Sequence, residues 1–174
     1  MVNTSETFLI DANALMTPYR LYYGFDIAPS FWENVACAFK RKQIVLLDKI
    51  KDEVLNGDDE LTKWIKDNEN IIDVCHHKTK SVIDNYQSVL KYIQTCGFYK
   101  ESALMEWAPT NIADPWLIAA AKSNNYTIVT LESPSGGLSK KTPNRSAKIP
   151  DVAKAFDVKY ITLFDMMRQL GISL

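Results

Sequence analysis

Apolar runs that end where a helical pattern begins recur along the chain, and this alternation constrains the fold more than any other feature. "TFLI" (7–10), "QIVLL" (43–47) and "YTIVT" (126–130) are rich in branched side chains, the pattern of strands buried on both faces. "IIDVC" (71–75) is a weaker run, and "KYITL" (159–163) reads as a last strand. The segments between them place apolar residues three and four apart. Strands separated by helices pair in parallel, because a crossover rather than a tight turn must connect them. The expected fold is therefore α/β, a three-layer α/β/α domain around a central, mainly parallel sheet.

Local chemistry marks the helices. In "APSFWENVACAFKRK", Ser30 and Glu33 fit a capping box, and Phe31, Trp32, Val35 and Phe39 share the face behind it. "DKIKDEVLNG" predicts a helix started by Asp48 and stopped at Gly57, and "DDELTKWIKDNE" predicts another. A longer helix is expected over Thr79–Cys96. Asp114-Pro115 opens a helix that Asn124-Asn125 closes, with proline suited to its first turn. "PDVAKAF" and "FDMMRQL" predict two last helices, whereas "ESPSGGLSKKTPNRSAKIP" (132–150) reads as a long polar loop. No repeat or long linker divides the chain. Its 174 residues, 47% hydrophobic, suit one core, so 1–174 is read as a single domain.

Composition excludes several function classes. A net charge of −1 provides no global field for nucleic acid or membrane, so an anionic partner requires a local basic patch. Cys37, Cys75 and Cys96 are odd in number and form no CxxC pair, which points to reduced thiols in a cytoplasmic protein. The opening "MVNTSETFLI" lacks the basic and long apolar regions of a secretory signal. No apolar run reaches the roughly 18 residues of a membrane span. The two histidines, His76 and His77, are adjacent in "VCHHK", which disfavours a Ser-His-Asp triad or a three-histidine zinc site and reads as a surface turn. Phosphate-cradling GxxxxGK[ST] and GxGxxG loops are absent.

Acidic residues carry the chemistry. Open parallel sheets bind ligands beyond the carboxyl ends of their strands, at the switch point. Asp11 follows the first strand and Glu132 the fourth, while Asp114 opens a helix whose start faces the same edge. Glu53 lies about one and a half turns into the helix after the second strand, beside the core positions Ile50 and Val54. Each has a plain structural explanation: a helix cap for Asp114, a solvated helix position for Glu53, a loop opening for Glu132. Asp11, set between "FLI" and an apolar helix, is expected to be buried, where an unpaired carboxylate is costly. Four carboxylates at one edge repel unless a cation holds them, and hard oxygen donors suit Mg²⁺ or Mn²⁺. Such a site is suited to hydrolysing phosphodiester bonds.

"FLIDANAL", the mid-helix Glu53 of "IKDEV", "ADPWLIAAA" and "IVTLE" resemble, in order and spacing, the PIN domains of VapC-like toxins. That family's pattern is an Asp after strand one with Ser, Thr or Asn two positions on, then a Glu, then an Asp before an Ala-rich helix, then an acid past a Thr-containing strand. Asp11, Asn13, Glu53, Asp114 and Glu132 match in turn, over nearly the whole chain. The last acid is usually Asp, so Asp151 is a candidate substitute or addition, and the 133–150 loop is longer than in compact members. The chain looks like an outlying subfamily. The resemblance implies a Mg²⁺- or Mn²⁺-dependent endoribonuclease, a homodimer, and a cognate antitoxin that blocks the site.

Lys140, Lys141, Arg145 and Lys148 cluster just after Glu132 and are candidates for phosphate contacts to RNA, against the alternative of a solvated loop. Tyr19, Tyr22 and Tyr23 are either a core stripe or a stacking surface for bases. Two other classes compete. A catalytically idle RNA- or protein-binding module would keep the frame without the chemistry. Phosphatases with an aspartyl nucleophile, of the haloacid-dehalogenase type, also end strand one on Asp, but Asn13 stands where their second Asp belongs.

Overall fold

The computed structural model describes residues 6–173; residues 1–5 and 174 lie outside it, and with them part of the stretch read for a secretory signal and both ends of the range 1–174 read as one domain. Five strands form one sheet: β1 (Phe8–Ile10), β2 (Ile44–Leu47), β3 (Asp73–Cys75), β4 (Thr127–Val129) and β5 (Tyr160–Ile161). Their order is β3-β2-β1-β4-β5, and every pairing is parallel. β1 lies at the centre, with Phe8 beside both Ile44 and Thr127 and Ile10 beside Val129. All residues of β1, β2 and β4 are buried, as expected of strands covered on both faces.

The helices are α1 (Asn13–Thr17), which continues into a π-helical turn at Pro18–Tyr22, then α2 (Pro29–Lys40), α3 (Asp48–Leu55), α4 (Glu60–Asp67), α5 (Lys80–Thr95), α6 (Glu101–Trp107), α7 (Asp114–Asn124), α8 (Ile149–Ala155) and α9 (Leu163–Leu170). Right-handed crossovers that step outward through β2 to β3 put α1–α4 on one face; the return through β4 to β5 puts α5–α8 on the other. The packing respects that division, with α3 against α4, α5 against α6 and α7, and α7 against α8. The result is the three-layer α/β/α arrangement. Among the described residues no helix is long and apolar enough to cross a membrane.

Two local expectations are corrected. Ser30 is not a cap: Pro29 already occupies the first turn of α2, the cap position falls on Ala28, and no side chain caps the end. Ser30 sits inside the helix, where its carbonyl accepts from Asn34 Nδ2 at 2.9 Å. The face predicted behind it is correct, since Phe31, Trp32, Val35 and Phe39 are all buried. The second correction is α6, which the sequence reading passes over. α7 is unusual in being buried from Pro115 through Ala121, which an Ala-rich helix pressed between the sheet and α5 permits. Asn125 ends it in the left-handed conformation, φ 55°.

Candidate active site

The chain turns outward from the sheet in opposite directions at β1 and β4, which makes the carboxyl ends of these neighbours the topological switch point. Asp11 stands there, tied to β4 by its amide, which donates to the Val129 carbonyl at 2.9 Å. Its side chain is 4% exposed. One carboxylate oxygen, Oδ2, accepts from the Thr130 hydroxyl at 2.9 Å. Thr130 Oγ1 in turn accepts from the Glu132 amide at 3.1 Å. Asn13 Oδ1 accepts from the Leu131 amide at 3.0 Å, so the Asp-x-Asn spacing fastens the end of β1 to the segment after β4.

Burial pushes the Asp11 carboxyl up to about 6, with Glu132 and Glu53 adding to the rise and hydrogen bonds from Thr130 and the Ala12 amide opposing it. Asp114 is raised to about 7, first by burial and then by the charges of Asp11, Glu132, Glu53 and Glu106. It lies in the first turn of α7 without a side-chain capping bond, and the cap position falls on Ala113. The capping explanation of Asp114 therefore does not hold. Glu53 is raised by partial burial. Glu53 and Asp114 line a cleft of about 540 Å³ between α3 and the α6–α7 segment, together with Lys49, Asp52 and Glu106.

The other two acids nominated by the sequence are differently placed. Glu132 lies within the field of Asp11 and Asp114, but its Oε2 accepts from the Ile149 amide at 2.9 Å and Lys148 Nζ lies 3.5 Å from Oε1. Asp151 accepts from the Ser135 amide at 3.1 Å and lines a separate cavity with Tyr92, Leu138 and Tyr160. It is not among the charges that raise Asp11 and Asp114. Of the basic loop, Lys148 is engaged with Glu132, Lys140 Nζ lies 5.5 Å from the Phe98 ring centre, and Lys141 and Arg145 are exposed. The loop is pinned to the α5–α6 connection by Asn144, whose amide donates to Phe98 and whose carbonyl accepts from Lys100. Tyr19 and Tyr23 pack against the core, whereas Tyr22 is exposed.

Sequence reasoning missed Thr130, Glu106 and a contact between β2 and β3. His77 Nδ1 lies 2.7 Å from Asp48 Oδ2, and the His77 amide donates to the same carboxylate. The turn is at the surface as expected, with His76 and Lys78 exposed, but His77 is half-buried against Asp48. The threonine of "IVTLE" was visible as part of the resemblance, but its bond to Asp11 was not.

Among the described residues, no three His, Cys, Asp or Glu side chains are gathered into a ready metal cage. The donors are nonetheless of one kind: oxygens of Asp11, Glu53 and Asp114, none with an ion-pair partner among the described residues, beside the engaged Glu132. Unpaired, partly buried carboxylates in one another's field suit a hard divalent cation. Residues 8–174 match a domain of unknown function (DUF4411), and the chain belongs to that family. No curated protein matches it.

Proposed function

We propose that this member of the family is a metal-dependent endoribonuclease that cleaves RNA phosphodiester bonds, with Mg²⁺ or Mn²⁺ held by Asp11, Glu53, Asp114 and Glu132. The observation that carries the reading is the pair Asp11 and Asp114, two neighbouring carboxyls whose values rise to about 6 and about 7 and which form no ion pair among the described residues. Burying such groups without a partner is a standing cost to the fold, and perturbed acids in a cleft are a mark of function. When bound, the ion supplies an activated water and stabilises the leaving oxygen.

The chain's own residues have separable parts. Thr130 orients Asp11 by donating to Oδ2. Asn13 holds the segment carrying Glu132 against the end of β1. Asp114, with a value near neutrality, releases a proton when a cation replaces it, so cation binding is coupled to pH. Lys141 and Arg145 are free to meet RNA phosphates from the loop. The toxin resemblance extends the proposal to a cognate antitoxin, a homodimer and a cytoplasmic setting.

A second reading, a catalytically idle RNA- or protein-binding module, is favoured by the engagement of Glu132 with Lys148 and Ile149. Incubating the purified chain with single-stranded RNA and Mn²⁺, with and without chelator, separates the two. The nuclease reading expects metal-dependent cuts, lost by roughly 100-fold or more in Asp11→Asn and Asp114→Asn, beyond the losses typical of residues that only support a metal ligand. RNA bound but uncut would establish the idle module, and wild-type cleavage by both variants would remove the assigned site.

A further inference from the structure

We infer that Lys49 is a phosphate-positioning residue of the acidic cleft, placed to hold a backbone phosphate of single-stranded RNA beside the scissile bond. This rests on the nuclease reading above. An acidic cleft repels RNA unless some cation reaches into it. None of the loop cations Lys140, Lys141, Arg145 and Lys148 lines that cleft. Lys49 is the basic residue among those lining the cleft with Glu53, Asp52, Glu106 and Asp114.

Its amine is held by aromatic rather than acidic contacts. Lys49 Nζ lies 5.5 Å from the centre of the Trp116 ring, within the range of a cation–π attraction. Among the described residues it has no carboxylate within ion-pair distance, although four line the same cleft. The Trp116 platform is itself fixed. It is 6% exposed, its Nε1 donates to the Thr110 carbonyl at 3.2 Å, and Tyr86 stacks on it with centroids 3.6 Å apart and an interplanar angle of 10°. His77 meets it edge-on at 5.0 Å. The backbone beneath Lys49 is fixed as well: Asp48 Oδ1 accepts from the Lys49 amide at 2.9 Å while Oδ2 holds the His77 ring.

The network does for Lys49 what a bound phosphate requires. A lysine free in solution loses side-chain entropy on contacting a phosphate, whereas one laid over a rigid ring has lost part of it already. Trp116 is two residues from Asp114, so the platform and the acid move together on the first turn of α7.

Lys49→Met keeps the alkyl stem on Trp116 and removes the charge; Lys49→Arg keeps the charge and can stack on the same ring. Both are made in the Asp11→Asn chain, which spares the probe from cleavage. Binding of a short fluorescein-labelled single-stranded oligoribonucleotide is followed by anisotropy with Mg²⁺ over a salt series. Lys49→Met is expected to weaken binding by about tenfold and flatten the log–log salt slope by about one unit, the signature of one lost phosphate contact. Lys49→Arg is expected to restore both, with melting temperatures unchanged. Parental affinity and slope in Lys49→Met would overturn the assignment of Lys49 and leave the nuclease reading standing. Failure to bind RNA both in this parent and in the chain that keeps Asp11 would overturn both. Lys49→Met made in the chain that keeps Asp11, if altered only in its melting response to Mn²⁺, would make Lys49 a counter-ion of the carboxylates, which also overturns the proposal.

Discussion

Asp11 and Asp48 occupy equivalent places, each the first residue after one of two paired central strands, yet their carboxyls are driven in opposite directions. Burial would raise Asp48, but the His77 ring and amide bonds, the His77 charge and the Lys49 amide outweigh it and hold the group below the usual carboxylate range. Burial of Asp11 is answered by one hydroxyl and one amide while Glu132 and Glu53 push the same way, and the value rises to about 6. A carboxylate at the end of a parallel strand is thus either a tie or a site, and its partners decide which. Asp48 joins β2 to β3. Asp11 joins β1 to β4 through one oxygen and leaves its charge uncompensated.

The largest expected effect is on the pH dependence of stability. A rise from 3.8 to about 6 corresponds to about 3 kcal/mol for Asp11. The folded state binds the proton more tightly than the unfolded state does. Without metal, the Asp11 contribution to stability is therefore full below about pH 4 and is lost as the pH rises through about 6. Asp11→Asn should flatten that fall, which denaturant titrations at several pH values would measure. An equally steep fall in the variant would assign it to Asp114 and Glu53 alone.

Divalent cation should reverse the same loss. At a hundredfold excess over Kd, Mn²⁺ stabilises by about 2.7 kcal/mol, a rise of about 5–10 °C in melting temperature for a chain of this size. Asp11→Asn should be at least as stable as the parent without metal and nearly indifferent to Mn²⁺. A parent that ignores Mn²⁺ would erase the contrast with Asp48.

Asp48→Asn should behave oppositely, costing about 2 kcal/mol with or without Mn²⁺ because charge-assisted bonds are lost. The Asp48 contribution is present above the ordinary carboxylate range and fades as the pH falls through its lowered value, so the difference between parent and variant should shrink in acid. Thermal melts at pH 7 and pH 4 would test the sign.

The smallest effect belongs to a buried polar group that is uncharged. The Tyr99 hydroxyl has no hydrogen-bond partner among the described residues. Tyr99→Phe should change stability by about 1 kcal/mol or less, toward greater stability, equally with and without Mn²⁺. A response to metal would link that part of the core to the acidic edge and blur the comparison.

Much of the frame is legible in particular residues. "QIVLL" reads as a strand because branched side chains without polar alternation suit a position covered on both faces, and β2 is buried throughout. "ESALMEW" did not read as α6, since seven residues span about two turns and leave little periodicity to detect. Ser30 misled because cap chemistry is local while the position of the cap is set by where Pro29 begins the helix. At the site, Asp11 and Asn13 were visible as a strand ending on polar residues. The hydrogen bonds from Thr130 and Leu131 that give them their roles come from residues more than a hundred positions away.

The sequence by itself determined that strands and helices alternate, hence a parallel sheet, and that acids stand where strands end and helices begin. Those are properties of local hydrophobic period and spacing, which neighbouring residues carry among themselves. Only the tertiary structure decided which acids are ties and which are left exposed to one another's charge. His77 reaches Asp48 across 29 positions, Lys148 reaches Glu132 across 16, and Asp11 and Asp114 have no ion-pair partner among the described residues. A carboxyl's charge state follows from burial and from the groups within a few ångströms of it, and the order of the strands in the sheet, rather than the order of residues in the chain, sets both.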